Sequence, residues 1–185
     1  MRDVFYLLLI LISVIPSSIF SQSTNSYNVV VNLNSDSKIV HVKQKMKFRN
    51  NSIRLLKELY LEDWSNAYIN NKTKLAKRIS DEYSRSFSFA KKSQRGSTTI
   101  KHILSENILS WERVENESDI IRVILKKPVK TGESIEIDID YSIKLPDSKF
   151  TGYGFDDSNF YLKNWLIVFS NYTNSKWSNQ SNLNL

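Results

Sequence analysis

Two stretches of strict two-residue alternation restrict this chain more than any other feature. Between residues 40 and 49, Val40, Val42, Met46 and Phe48 share one phase, and His41, Lys43, Lys45, Lys47 and Arg49 share the other. Between residues 135 and 144, Ile135, Ile137, Ile139, Tyr141 and Ile143 alternate with Glu136, Asp138, Asp140 and Lys144. Successive side chains of a strand point to opposite faces, so each stretch predicts a strand with one dry and one wet face. Such strands belong to antiparallel sheet covered on one side. The wet faces differ in sign, basic in the first strand and mainly acidic in the second. Opposite charges favour facing positions on neighbouring strands, which predicts that the lysine row lies beside Glu136, Asp138 and Asp140.

The rest of the chain extends this pattern. Tyr27, Val29, Val31 and Leu33 alternate with polar residues and lead into the turn Asn34-Ser35-Asp36-Ser37, so the first two strands read as a hairpin. Further strands are expected at residues 56–64, 98–104, 109–115 and 120–125, with turns at Arg95-Gly96-Ser97 and at Pro128-Val129-Lys130-Thr131-Gly132. Leu75, Ile79, Tyr83 and Phe87 recur every four residues behind Thr73, a potential N-cap, which predicts an amphipathic helix over 74–87. The expected fold is therefore mainly β: an antiparallel β-sandwich or curved sheet with one short amphipathic helix inserted.

At the N-terminus, Arg2 precedes an apolar run over residues 4–15 and a small-residue stretch, Pro16-Ser17-Ser18-Ile19-Phe20-Ser21. This reads as a signal peptide, residues 1–21, cleaved before Gln22. The run is shorter than the ~20 residues that span a bilayer, so no stable membrane anchor is expected after cleavage. The protein is expected to be exported, to the periplasm, the cell surface or the medium. A linker at 22–26, a β domain at 27–165 and a loose, Asn/Ser-rich tail at 166–185 complete the expected organisation.

The chain has 185 residues and no cysteine, so disulfides, a lipoprotein anchor and a cysteine nucleophile are all excluded. The formal net charge is +7, but its lysines and arginines are dispersed along the chain, as on solvated strand faces, and no nucleic-acid partner is expected. No nucleophile elbow, phosphate-binding loop or dinucleotide fingerprint occurs. The two histidines, His41 and His102, fall in different predicted strands, and neither is followed by Glu. The acidic pairs Glu62-Asp63 and Asp156-Asp157 read as solvated turns rather than as acid and base.

Aromatic residues crowd the C-terminal part: Tyr153, Phe155, Phe160, Tyr161, Trp165, Phe169, Tyr172 and Trp177. Such side chains supply core, interface anchors or ligand platforms. Their order follows Leu59-Tyr60-Leu61, Trp64-Ser65-Asn66-Ala67-Tyr68, the Arg95-Gly96 turn, residues 128–135 and residues 150–154, ending in Tyr161-Leu162-Lys163-Asn164-Trp165. In this succession, residues 27–177 resemble the N-terminal β domain of aminopeptidase N-like zinc metallopeptidases, particularly the exported Bacteroidetes-type forms. The resemblance implies a non-catalytic scaffold ending before the catalytic domain. It implies Tyr153, Phe155, Tyr161, Trp165, Phe169 and Trp177 as an interdomain interface. In complete relatives the following domain carries zinc and removes N-terminal residues from peptides; that domain, or the peptide, would be the partner here. The family's H-E-x-x-H and G-x-M-E-N motifs are missing from this chain, as is a proline close behind Trp165. No catalytic residue, metal ligand or cofactor is therefore assigned to it. The competing readings are a stand-alone secreted β-sandwich module binding glycan or protein, and a basic module for anionic polymers whose binding would weaken strongly with salt.

Overall fold

The computed structural model describes residues 25–82 and 85–179. The proposed signal peptide, Tyr83 of the helical stripe and the last six residues lie outside them. The chain forms two four-stranded antiparallel sheets. In the first, β1 (Ser26–Asn34), β2 (Ile39–Arg49), β7 (Ser134–Lys144) and β4 (Ser97–Leu104) lie in the order β1-β2-β7-β4. In the second, β10 (Val168–Phe169), β3 (Leu56–Glu62), β6 (Glu117–Val129) and β5 (Ile108–Val114) lie in the order β10-β3-β6-β5. Two small hairpins, β8 (Gly154–Asp156) with β9 (Asn159–Tyr161) and β11 (Asn171–Thr173) with β12 (Lys176–Ser178), flank β10 in sequence. The mainly β sandwich expected from the alternation is the fold observed. Among the described residues no helix is long and apolar enough to cross a membrane.

The oppositely charged strands are neighbours, as expected, and their register sets Lys43 facing Asp140, Lys45 facing Asp138 and Lys47 facing Glu136. The ammonium groups of Lys45 and Lys47 lie 3.7 and 3.6 Å from the Asp138 and Glu136 carboxylates, on the solvated face. The other face of the same two strands turns Val40, Val42, Met46, Ile137, Ile139 and Ile143 into a core shared with Leu59, Leu61, Ile121 and Val123 of the second sheet.

The helix α1 (Lys74–Glu82) begins where predicted: Thr73 Oγ1 accepts from the Ala76 N–H at 3.1 Å and donates to the Ala67 carbonyl at 2.7 Å. It buries Leu75, Ala76 and Ile79 but ends earlier than the apolar spacing suggested. Phe87 sits beyond it in a turn, edge-on to Tyr68 and Phe150, with the Arg95 guanidinium over its ring. The serines at 86 and 88 compete for backbone hydrogen bonds and favour such turns over helix. The turn expected from Pro128 starts at Lys130 instead. The β3–β6 register breaks between the Leu56↔Val129 and Glu58↔Ile124 pairs, and this irregularity lets β6 carry a proline that cannot donate.

Two polar assemblies tie the layers together. At one end Asp63, fully buried, receives the Arg113 guanidinium of β5 and the Thr98 hydroxyl of β4, each at 2.7 Å. Asn66 accepts from the Thr98 N–H and donates to the Ser118 carbonyl, so the same short segment grips both sheets. In the interior, Gln44 donates to the Ile167 carbonyl at 2.6 Å, the Ile167 N–H donates to the Tyr141 hydroxyl, and that hydroxyl donates to Gln44 Oε1.

This closed ring corrects the expected loose tail, at least through residue 179. Ile167 is fully buried, Phe169 packs on Phe48 and Tyr27, Val168 and Phe169 pair with Glu62 and Leu61, and the Ser170 N–H donates to the Tyr60 carbonyl. The physical reason is that Gln44 and Tyr141 each present a buried polar group that needs a partner, and the backbone of residue 167 supplies it.

Candidate functional site

Beyond β7 the chain is steered by one close backbone approach. Gly154 has φ +124°, and a Cβ there would lie 1.9 Å from the Pro146 carbonyl oxygen, which accepts the Phe155 N–H. Only glycine fits such an approach. It fixes the β8–β9 hairpin beside the first turn of the molecule, where the Lys38 ammonium lies 5.4 and 5.2 Å from the Phe155 and Phe160 ring centres.

From this hairpin the chain passes through Leu162, Asn164 and Trp165 back to the second sheet. Ser65 anchors the passage: its hydroxyl donates to the Trp165 carbonyl at 3.3 Å and shares a 2.8 Å hydrogen bond with the Tyr153 hydroxyl. The result is an open groove of about 430 Å³ lined by Glu62, Trp64, Leu162, Asn164, Trp165, Leu166 and Val168. Its walls are indole and aliphatic, with one carboxylate and one amide. Such a lining suits an apolar anchor or a planar ring with a few polar groups.

The six residues singled out in the sequence are dispersed. Trp165 lines the groove. Phe155 and Tyr161 lie on the hairpin, Phe155 half-buried under Lys38 and Tyr161 43% exposed. Trp177 is half-buried against Tyr172, Phe48 and Tyr60. Tyr153 and Phe169 are core residues. Tyr153 is covered by Trp64 and Tyr68, and Phe169 by Phe48 and Tyr27. With their rings already satisfied inside the chain, these two present no face to a partner, and an interface reading narrows to the other four. Trp64 and Leu162, which complete the groove, were quoted in the sequence only as pattern residues. Their signal is position: each is an apolar side chain where a strand or hairpin ends.

The acidic pair Glu62-Asp63 splits between two environments. Glu62 lines the groove, whereas Asp63 points inward. Burial pushes the Asp63 carboxyl above its ordinary range, and Arg113 and the Thr98 hydroxyl pull it back only in part. Burial likewise raises the Tyr68, Tyr141 and Tyr153 hydroxyls far above the phenol range, so all three act as neutral hydrogen-bonding groups. His41 and His102 sit on β2 and β4, and His41 Nδ1 lies 3.0 Å from the Ser142 hydroxyl. Among the described residues no three His, Asp or Glu side chains gather as a metal-ligand set.

Fold and groove together define an antiparallel β sandwich with an aromatic groove at the exit of its second sheet. The sequence matches no family model and no curated protein.

Proposed function

We propose that this chain is the non-catalytic β scaffold of an exported aminopeptidase N-like zinc metallopeptidase. In this reading the aromatic groove receives the metal-bearing domain. The carrying observation is the groove itself: Trp64, Leu162, Trp165 and Leu166 form an apolar recess beside the last core segment, with Phe155 and Tyr161 on the adjoining hairpin. Aromatic side chains at a recess are the usual anchors of a protein interface. Zinc belongs to the partner domain in this reading, because His41 and His102 with their neighbours do not compose its ligand set. The chain's own part is to brace the partner and wall one side of its cleft.

The test is to purify the tagged protein from its native host and assay the eluate for aminopeptidase activity that a chelator abolishes. Activity is expected to co-purify with the wild type and to be lost with Trp165→Glu. A second reading draws on the same lining: two indoles with Glu62 and Asn164 also resemble a sugar platform in a stand-alone binding module. Tryptophan fluorescence that responds to oligosaccharide, in a preparation without peptidase activity, would favour that alternative.

A further inference from the structure

The geometry points to β1 as a self-pairing edge, through which two copies of this chain join by antiparallel pairing of β1 with its own counterpart about a two-fold axis at Val30. This goes beyond the groove and does not depend on its occupant.

The three long edge strands of the sandwich are built differently. β4 breaks register between Ile100 and His102 and carries Lys101. β5 breaks register twice and carries Glu112 and Arg113. Bulges and charges of this kind are how sheet edges avoid pairing with other chains. β1 has neither: its nine residues, Ser-Tyr-Asn-Val-Val-Val-Asn-Leu-Asn, are uncharged and pair with β2 without interruption. Among the described residues nothing pairs with its outer edge. Its apolar side chains are only partly covered, although Val29 touches the core and Tyr27 packs on Phe169. Val30 is 66% exposed, and Tyr27, Val31 and Leu33 stay exposed although they stand on the core-facing side, opposite Met46, Val42 and Val40.

The sequence of β1 selects a second copy as occupant, because it reads nearly the same in both directions about Val30. In a two-fold antiparallel pair centred there, Val29 opposes Val31, Asn28 opposes Asn32 and Tyr27 opposes Leu33, so apolar meets apolar on the inner face and amide meets amide on the outer. An axis at Val29 or Val31 would instead set an asparagine against Val30. The pairing joins both first sheets into one, satisfies the free backbone groups of the two edges and gives the partly exposed apolar row further cross-strand neighbours.

The test is sedimentation velocity on the purified protein, its N-terminus read by mass spectrometry, from micromolar to submillimolar concentration. A reversible monomer–dimer equilibrium is expected. Val30→Glu should weaken it at least about tenfold, because the two glutamates meet on the axis. The fold itself should survive, since Lys43 faces position 30 within each copy, and thermal melting checks this. Mixing Val30→Glu with Val30→Lys should restore the dimer, which only a site facing itself predicts. A monomer at every concentration, a dimer indifferent to Val30→Glu, or a mixture no stronger than its components would overturn the proposal.

Discussion

Two of the places where this molecule sets a carboxylate against a cation stand in opposite environments. On the outer face of the first sheet, Lys45–Asp138 and Lys47–Glu136 stand at 3.7 and 3.6 Å with each side chain more than half exposed. At the end of the sandwich, Asp63 meets Arg113 at 2.7 Å with its carboxyl shut away from water. Water screens the first arrangement, so its pairs help choose register and contribute little to stability. The second has given up its hydration, and removing one partner leaves the other stranded. The ladder that repeats most clearly along the chain is thus the weaker of the two.

The sharpest way to break this contrast is Arg113→Ala. It should destabilise the protein by about 3–5 kcal/mol in urea melts, because Asp63 stays buried without its cation. A loss below about 1 kcal/mol, the range of exposed pairs, would put the two sites in one class. Acid sharpens the same comparison. Burial holds the folded Asp63 pKa above its unfolded value, so the folded chain binds that proton more tightly. This group's contribution is therefore fully present below the unfolded pKa and is lost as pH rises through the folded one. Melts from about pH 3 to pH 7 should show wild type losing ground to Asp63→Asn as pH rises.

Tyr141→Phe comes next in size. It removes the hydroxyl between Gln44 Oε1 and the Ile167 N–H, leaving buried polar groups without partners, and should cost about 1–3 kcal/mol. Hydrogen exchange should then quicken at residues 167–169 before it quickens in β2 or β7. The smallest effect belongs to Lys45→Ala, expected to change stability by less than about 1 kcal/mol and to change it less still in high salt.

The same contrast explains what the sequence disclosed. Strand pairing of β2 with β7 and the Thr73 cap were legible because each is a local or repeating pattern: period two, opposite signs, a hydroxyl three residues ahead of its donor. Gln44 was not, although it occupies the inward phase between Val42 and Met46. A polar residue there signals a buried hydrogen bond without naming the partner, which lies at Ile167. The docking of residues 166–169 was hidden for the same reason, since β10 is too short to show a period. Within the candidate site, Trp165 could be singled out by type and place. Composition cannot separate a buried ring from an exposed one, however, so Tyr153 and Phe169 were grouped with it, and Trp64 and Leu162 were left among the pattern residues.

The Gln44–Tyr141–Ile167 ring also sets a condition on the birth of the protein. Gln44 and Ile167 are separated by 123 positions, so a growing chain can lay down every other strand of both large sheets while its central amide and phenol still lack their partner. Contacts so distant in sequence form late and slowly. Until Phe169 has left the ribosome, the nascent sandwich holds an open seam between its layers, and that interval is when it most needs a chaperone.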